Sequence, residues 1–291
     1  MPTHEERLHL PATLRSLTLG DVRVSHVPDG AVQLSPRGWL PGSTAEVWEA
    51  HPEYLDNSGN LVGSLGGLLV ERGDRALLID TGFGPQSLRG TPGGPVGDIR
   101  GGSLLDSLAR LGRKPEEIET VAYTHLHTDH IGWSWHPAPG SGRPAFAGAR
   151  HVLSGPEWAG RESAAAWGTT PDMLDALAPL VRTVADGEEI FPGVTIRLTR
   201  GHTPGHAAYV LTAGDWRLIA FGDLVHSPIQ FDHLDWAAAP DHDGGQGAAE
   251  RHRLAAELAE PRTIGFGVHF ADVPFGRVVR DGAGPTWRPV D

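Results

Sequence analysis

The run Thr124-His125-Leu126-His127-Thr128-Asp129-His130 follows directly on the apolar stretch Val121-Ala122-Tyr123. Strand alternation puts His125 and His127 on the same side of an extended segment, where both can reach one cation. Asp129 and His130 come where such a strand ends, so they can turn towards a second cation close by. Neutral imidazole and carboxylate together suit zinc and its first-row neighbours. A lone His is commonly a surface or core residue. Three imidazoles and a carboxylate within six residues point instead to a two-metal site.

The rest of the chain reads as alternating strands and helices. Val22 to Val27 reads as a first strand, and Leu65 to Val70 with Ala76 to Ile79 as a hairpin turning at Gly73. Ser103 to Leu111 has helical spacing, a Ser start and Gly112 as its stop. Glu157 to Trp167 and Asp172 to Val181 read as helices, the second with Pro171 in its first turn. Val194 to Leu198, Ala207 to Thr212, Trp216 to Phe221 and Thr263 to Val268 read as strands, with an amphipathic helix at Ala248 to Ala259. Two strand-rich halves, each supplying helices, imply two sheets packed face to face with helices outside. No linker or short-period repeat interrupts the pattern, so residues 1–291 are expected to form one domain. Residues 30–60, loop-like from Trp39 to Asn60, are read as an insert near the site.

Composition narrows the partners. The 291 residues carry a formal net charge of −12 with no basic stripe, which weighs against nucleic acid and says little about a small neutral substrate. The absence of cysteine removes disulfides, zinc ribbons and any thiolate ligand or nucleophile. The start Met1-Pro2-Thr3-His4-Glu5-Glu6-Arg7 lacks a basic segment followed by an apolar one, and no apolar run is long enough to span a bilayer. A cytoplasmic protein with no membrane partner is expected, and a homodimer on general frequency.

A two-metal site needs more ligands, and three candidates stand at strand ends. His202 lies in Gly201-His202-Thr203-Pro204-Gly205-His206 after the strand ending at Leu198. Asp223 follows Phe221-Gly222 after another apolar strand. A buried carboxylate needs a partner charge or metal, and its two oxygens can bridge two cations. His269 closes Gly265-Phe266-Gly267-Val268-His269.

In order and spacing these motifs resemble the metallo-β-lactamase superfamily, and Asp80-Thr81-Gly82 matches its early Asp-x-Gly turn. The resemblance runs from about Leu65 to Phe270. It implies an αββα sandwich with metals at one edge between two mixed sheets. One metal would take His125, His127 and His202, the other Asp129, His130 and His269, with Asp223 bridging. The branches with a cysteine ligand do not fit, nor does the flavodiiron branch, which has Glu where this chain has His127. Asp129-His130-Ile131-Gly132-Trp133, Gly222-Asp223-Leu224-Val225-His226, Ile229-Gln230-Phe231 and Val268-His269-Phe270 with Pro274-Phe275-Gly276 are similar to the branch of methyl-parathion hydrolase and the quorum-quenching lactonases. Small acyl-homoserine lactonases place a Tyr where this chain has His226.

Two divalent ions, zinc or else manganese, cobalt or iron, would share an activated hydroxide that attacks a carbonyl or phosphorus centre. Asp129 is a ligand that can also carry a proton. His226 either bonds the substrate oxyanion or leaving group, or supports the site from behind. Asp80 is expected to fix the tautomer of a ligand imidazole, and His206 to hold its turn. Trp133, Trp135 and Phe231, with Trp39 and Trp48 at the rim, are the candidate walls of an apolar substrate pocket, with core packing the other reading for each. The activity so implied is hydrolysis of a lactone, a phosphotriester or an aryl ester. A glyoxalase II-like thioesterase is the alternative, followed by a mononuclear iron sulfur dioxygenase and by a metal-binding module without turnover.

Overall fold

Alternation along the strands decides how the layers stack. On the segment Arg75–Ile79, Leu77 and Ile79 face one core while Ala76 and Leu78 face another; on Ala207–Ala213, Tyr209 and Leu211 face inward and Ala208 outward. Each sheet therefore has two apolar faces. One meets the other sheet, and the other needs a helical cover.

The computed structural model describes residues 2–281 and 284–291; Met1 of the start read above and residues 282–283 of the single-domain span lie outside the described residues. The first sheet holds β1 (Arg15–Leu19), β2 (Val22–Leu34), β3 (Leu61–Arg72), β4 (Arg75–Ile79), β5 (Ser87–Leu88), β6 (Val96–Arg100), β7 (Thr120–Ala122), β8 (Arg150–Ser154) and β9 (Val181–Val184). Their order is β5-β6-β2-β3-β4-β7-β8-β9, with β1 paired to β2. The second sheet runs in simple order through β10 (Glu189–Phe191), β11 (Val194–Leu198), β12 (Ala207–Ala213), β13 (Trp216–Ala220), β14 (Thr263–Phe266), β15 (Phe275–Asp281) and β16 (Gly284–Pro289). Both sheets are mixed: β4, β7, β8 and β9 run parallel, as do β13 and β14, while the remaining pairs are antiparallel. Helices α1 (Pro36–Trp39), α2 (Ala45–Ala50), α3 (Leu104–Arg110), α4 (Thr128–Trp135), α5 (Gly155–Ala159), α6 (Pro171–Leu177) and α7 (Gly244–Leu258) complete the chain. Helices α3, α4 and α6 cover the outer face of the first sheet, and α7 covers the second, which is the αββα arrangement.

Several boundaries differ from the sequence reading for identifiable reasons. Strand β2 continues past Val27 to Leu34 over an irregularity between Pro28 and Gly30, where Gly30 lets the backbone of Arg100 approach. Residues 30–60 are thus not all loop: they finish β2 and then form α1 and α2. The helix read over Glu157 to Trp167 breaks at Gly160 into α5 and a 3-10 turn, Arg161–Trp167. Helix α6 stops at Leu177 because Pro179 cannot continue it, and Val181 opens β9 instead. Helix α7 starts four residues early, since the Asp243 side chain accepts a hydrogen bond from the Gln246 amide and caps an otherwise poor Gly-Gly start. Among the described residues no helix is long and apolar enough to cross a membrane.

Candidate metal centre

The ends of β4, β7, β11, β13 and β14 open onto one rim; β7 leads into four members of the site and each of the others into one. Strand β7 hands over to α4 through His127, the residue before that helix, so His125 and His127 precede the turn while Asp129 and His130 sit in its first turn. Gly132 presses α4 against the backbone of Phe83, where an added Cβ would come within 2.1 Å. His202 hangs on the loop between β11 and β12. Gly222, with φ +51°, turns the chain after β13; a Cβ there would meet His206 Nε2 at 2.7 Å and Thr124 at 2.8 Å. His269 follows β14.

The structure brings all seven expected ligands together, and the described residues contain two groups whose donor atoms lie within 4.8 Å of one another: His125, His127, His202 and Asp223, and Asp129, His130 and His269. Asp223 stands between them. Its Oδ1 lies 3.1 Å from both His130 Nε2 and His269 Nε2, while its Oδ2 lies 3.4 Å from His202 Nε2 and 3.7 Å from His125 Nε2. His202 Nε2 and His127 Nδ1 are 3.1 Å apart.

Partners behind the rings fix which nitrogen faces inward. His130 Nδ1 donates to Asp80 Oδ2 at 3.0 Å, and the same carboxylate accepts from the amide and hydroxyl of Thr124, tying the ends of β4 and β7. Asp80 holds this place in a left-handed conformation, φ +62°, unusual for a residue with a Cβ. His269 Nδ1 donates to the Ser64 carbonyl at 2.8 Å. His206 Nδ1 donates to the Thr199 carbonyl, and its Nε2 accepts from the Asp223 amide at 3.1 Å. It braces the central carboxylate rather than joining the donor groups. His202 Nδ1 donates to Asp241 Oδ1 at 2.9 Å, and Asp241 is in turn paired at 3.2 Å with Arg251, which is fully buried in α7.

Burial holds His125 and His127 well below the ordinary imidazole range, reinforced by neighbouring imidazoles. Burial opposes protonation of His130 and His269 too, but there the carboxylates of Asp223 and Asp129 win and push both upward. Burial alone would raise Asp223; the surrounding imidazoles, His269 and His130 foremost, hold it well below its usual range. Among the described residues no Lys or Arg pairs with Asp223, and the buried His125 Nε2, His130 Nε2 and Asp223 Oδ1 have no hydrogen-bond partner. Buried lone-pair donors converging without a counter-cation fit divalent metal ions.

A cavity of about 290 Å³ opens beside the groups. Val32, Leu34, Trp39, Phe83, Leu88, Val96, Ile99 and Trp167 wall it, His127, Asp129, Asp223 and His269 form part of its lining, and among the described residues no Lys or Arg lines it.

A model of the metallo-beta-lactamase superfamily matches residues 67–268, more than two thirds of the chain, and ends one residue before His269. The chain belongs to the metallo-beta-lactamase superfamily. Within it, an N-acyl homoserine lactonase from a Bacillus species is 26% identical over 155 residues, covering 49% of this chain and 56% of the relative. One from Bacillus thuringiensis is 28% identical over 150 residues, covering 47% and 54%. The chain thus spans about half the length of the curated relatives it matches. Among solved structures, AidC, described as a dizinc quorum-quenching lactonase in complex with a product, superposes with a TM-score of 0.80 at 22% identity over 96% of this chain and 98% of that one. The hydrolase AbOPH of the beta lactamase superfamily gives 0.78 at 26% identity, again over 96% and 98%.

On this metallo-beta-lactamase frame the sequence-based pocket needs correction. Of the five aromatic residues expected there, Trp39 lines the cavity. Trp133 turns away to donate its indole N–H to Asp29 at 2.8 Å, because Gly132 seats α4 so tightly. Trp135, half-buried, packs against the core under the first sheet. Phe231 stacks on Trp287 in the core under α7. Trp48 lies behind Trp39, against Trp236, with its N–H on Ser43. His226 is likewise not on the cavity wall: its Nε2 donates to Asp223 Oδ2 at 3.1 Å, and Trp39 and His202 pack against its ring. Residues the sequence reading missed are Trp167, whose ring lies 6.2 Å from that of His127, and the pair Asp241 and Arg251. An Asp between Pro240 and His242 gave a weak signal for the pair; nothing local marked Trp167.

Proposed function

We propose that this chain, acting as one domain with residues 30–60 helping to wall the site, is a dinuclear zinc-dependent hydrolase of small apolar esters. A lactone is the leading substrate, with phosphotriesters and aryl esters as further substrates of the same centre. The observation that carries this is a single carboxylate, Asp223, facing two donor groups beside an apolar cavity without a cationic side chain. The lactonase relatives and the dizinc neighbour support the same reading.

His125, His127 and His202 would hold one cation and Asp129, His130 and His269 the other, with Asp223 shared. Bound there, the pair supplies Lewis acidity towards water and towards the scissile group. Asp129, one fifth exposed at the cavity, is placed to take a proton from attacking water and return it to the leaving oxygen. His226 orients Asp223: in the neutral tautomer that donates through Nε2 it keeps no second N–H for substrate. Val32, Leu34, Trp39 and Trp167 receive the apolar part of the ester and keep water from it.

The test is a panel of initial rates on acyl-homoserine lactones, aryl phosphotriesters, aryl esters and an acyl-glutathione thioester, each with and without a chelator. Chelator-sensitive turnover led by a lactone is expected. Turnover of the thioester alone would replace this reading with the glyoxalase II-like one, and iron at one ion per chain would favour sulfur oxidation.

A further inference from the structure

The three imidazoles of the first group come from different sheets. His125 and His127 extend from β7 of the first, and His202 from β11 of the second. Their spacing therefore depends on what joins the two loops near the rings. Behind the rings, the Ala207 amide donates to the Thr124 carbonyl and the Tyr209 hydroxyl to the Tyr123 carbonyl. These fix the strand ends but act before the ligands begin.

At the ligands themselves the connection is Glu157. This carboxylate is 4% exposed, and no Lys or Arg pairs with it among the described residues. Its Oε1 accepts from the amide of Leu126, the residue between His125 and His127, at 3.0 Å. Its Oε2 accepts from the hydroxyl of Thr203, the residue after His202, at 2.6 Å. The corner that carries Glu157 is itself latched to the His202 loop. The Ser154 hydroxyl donates to the Gly205 carbonyl at 2.5 Å, and a Cβ on Gly205 would stand 2.0 Å from the Glu157 nitrogen. From the other side the Thr169 hydroxyl donates to the Leu126 carbonyl at 2.6 Å.

We propose that Glu157 is a positioning residue that clamps the His125–His127 turn to the His202 loop across the two sheets, and so sets the cation affinity of the first donor group without setting that of the second. The inference rests on the metal reading of the site given above. It is a claim about hydrogen-bond geometry, so an amide can replace the carboxylate. The carbonyl of Gln still accepts from Leu126, and its NH₂ donates to the Thr203 oxygen, which can accept as well as donate.

The experiment measures zinc dissociation constants by competition with a chromophoric chelator in two backgrounds. His269→Ala leaves the first group intact and His202→Ala the second. Adding Glu157→Ala is expected to weaken zinc about tenfold or more in the first background, the range for losing a supporting contact around a metal site, and to leave the second within about twofold. Thr203→Val, which removes one of the two bonds and is the milder change, should fall between, and Glu157→Gln should stay near its parent. Equal weakening of both groups, or of neither, overturns the clamp, as does a Glu157→Gln loss as large as that of Glu157→Ala. If Glu157→Ala fails to fold, Thr203→Val decides on the same criterion. Absence of zinc binding in either parent overturns the metal reading and the clamp with it, whereas binding unchanged by Glu157→Ala overturns the clamp alone.

Discussion

The two donor groups share Asp223 and little else. In the first, burial holds His125 and His127 well below the ordinary imidazole range, and the carboxylate behind His202, Asp241, is already matched by the buried Arg251. The second sets two imidazoles among Asp129, Asp223 and Asp80, and there the carboxylates outweigh burial. One group thus sets two imidazoles whose protonation burial disfavours beside a carboxylate already paired from behind, and the other gathers carboxylates around its imidazoles. The groups also differ in position: Asp129 and His269 of the second line the cavity, whereas of the first group's imidazoles His127 does.

Removing the shared element should produce the largest change. Asp223→Asn is expected to lower hydrolysis on the order of a thousandfold, comparable to losing a principal electrostatic stabiliser of the reaction, and to lower the metal content of both groups. Elemental analysis with steady-state kinetics checks it, and retention of a full metal load would break the comparison at its root.

The effect of burial on His125 and His127 can be set against a buried imidazole with no ligand role. Burial holds His26 at about 4, against 6.5 for the free side chain. Its folded value is depressed, so its stabilising contribution is complete above pH 6.5 and is lost as pH falls through about 4. Relative to His26→Leu, the wild type should lose about 3 kcal/mol over that window. Denaturant unfolding of both proteins at several pH values measures the difference, in which other titrating groups cancel; a flat difference would show that burial alone does not keep an imidazole neutral here.

The supporting carboxylates separate the groups more finely. Asp241→Asn should weaken zinc about 10- to 100-fold in the first group and Asp80→Asn by a similar factor in the second, each leaving the other group largely alone. Chelator competition in the single-group backgrounds reads both, and crossed effects would merge the two groups into one unit. The smallest effect expected is on selectivity. Trp167→Ala should cost about tenfold in kcat/KM for a long-chain ester relative to a short one with metal content unchanged. An equal loss for both chain lengths would move Trp167 from substrate to ligand support, given its contact with His127.

How far these features could be read from the chain follows the same division. The donors were legible because they are dense, chemically distinctive and each placed where an apolar run stops, as at His125, His202, Asp223 and His269. The layers were legible because strands such as Arg75–Ile79 bury both faces. The cavity wall, Trp39 apart, was not. Trp133 and Trp135 are neighbours of the donors in sequence, but α4 carries them into the core, while Val32, Val96 and Trp167 reach the cavity through pairing and turns that no local pattern encodes. Asp241 and Arg251 were missed for a related reason: a buried charge pair between a loop and a helix shows in sequence as two ordinary surface-type residues.

The cavity wall has a consequence for how such a chain can change. Val32 and Leu34 end β2, Leu88, Val96 and Ile99 belong to the β5–β6 edge, and Trp167 closes a 3-10 turn, while the donors stand on other segments. Insertions, deletions and exchanges in those edge segments can reshape the cavity while the donor groups stay unchanged. Trp39 against His226 and Trp167 against His127 are contacts through which a change in the wall also reaches the donor side.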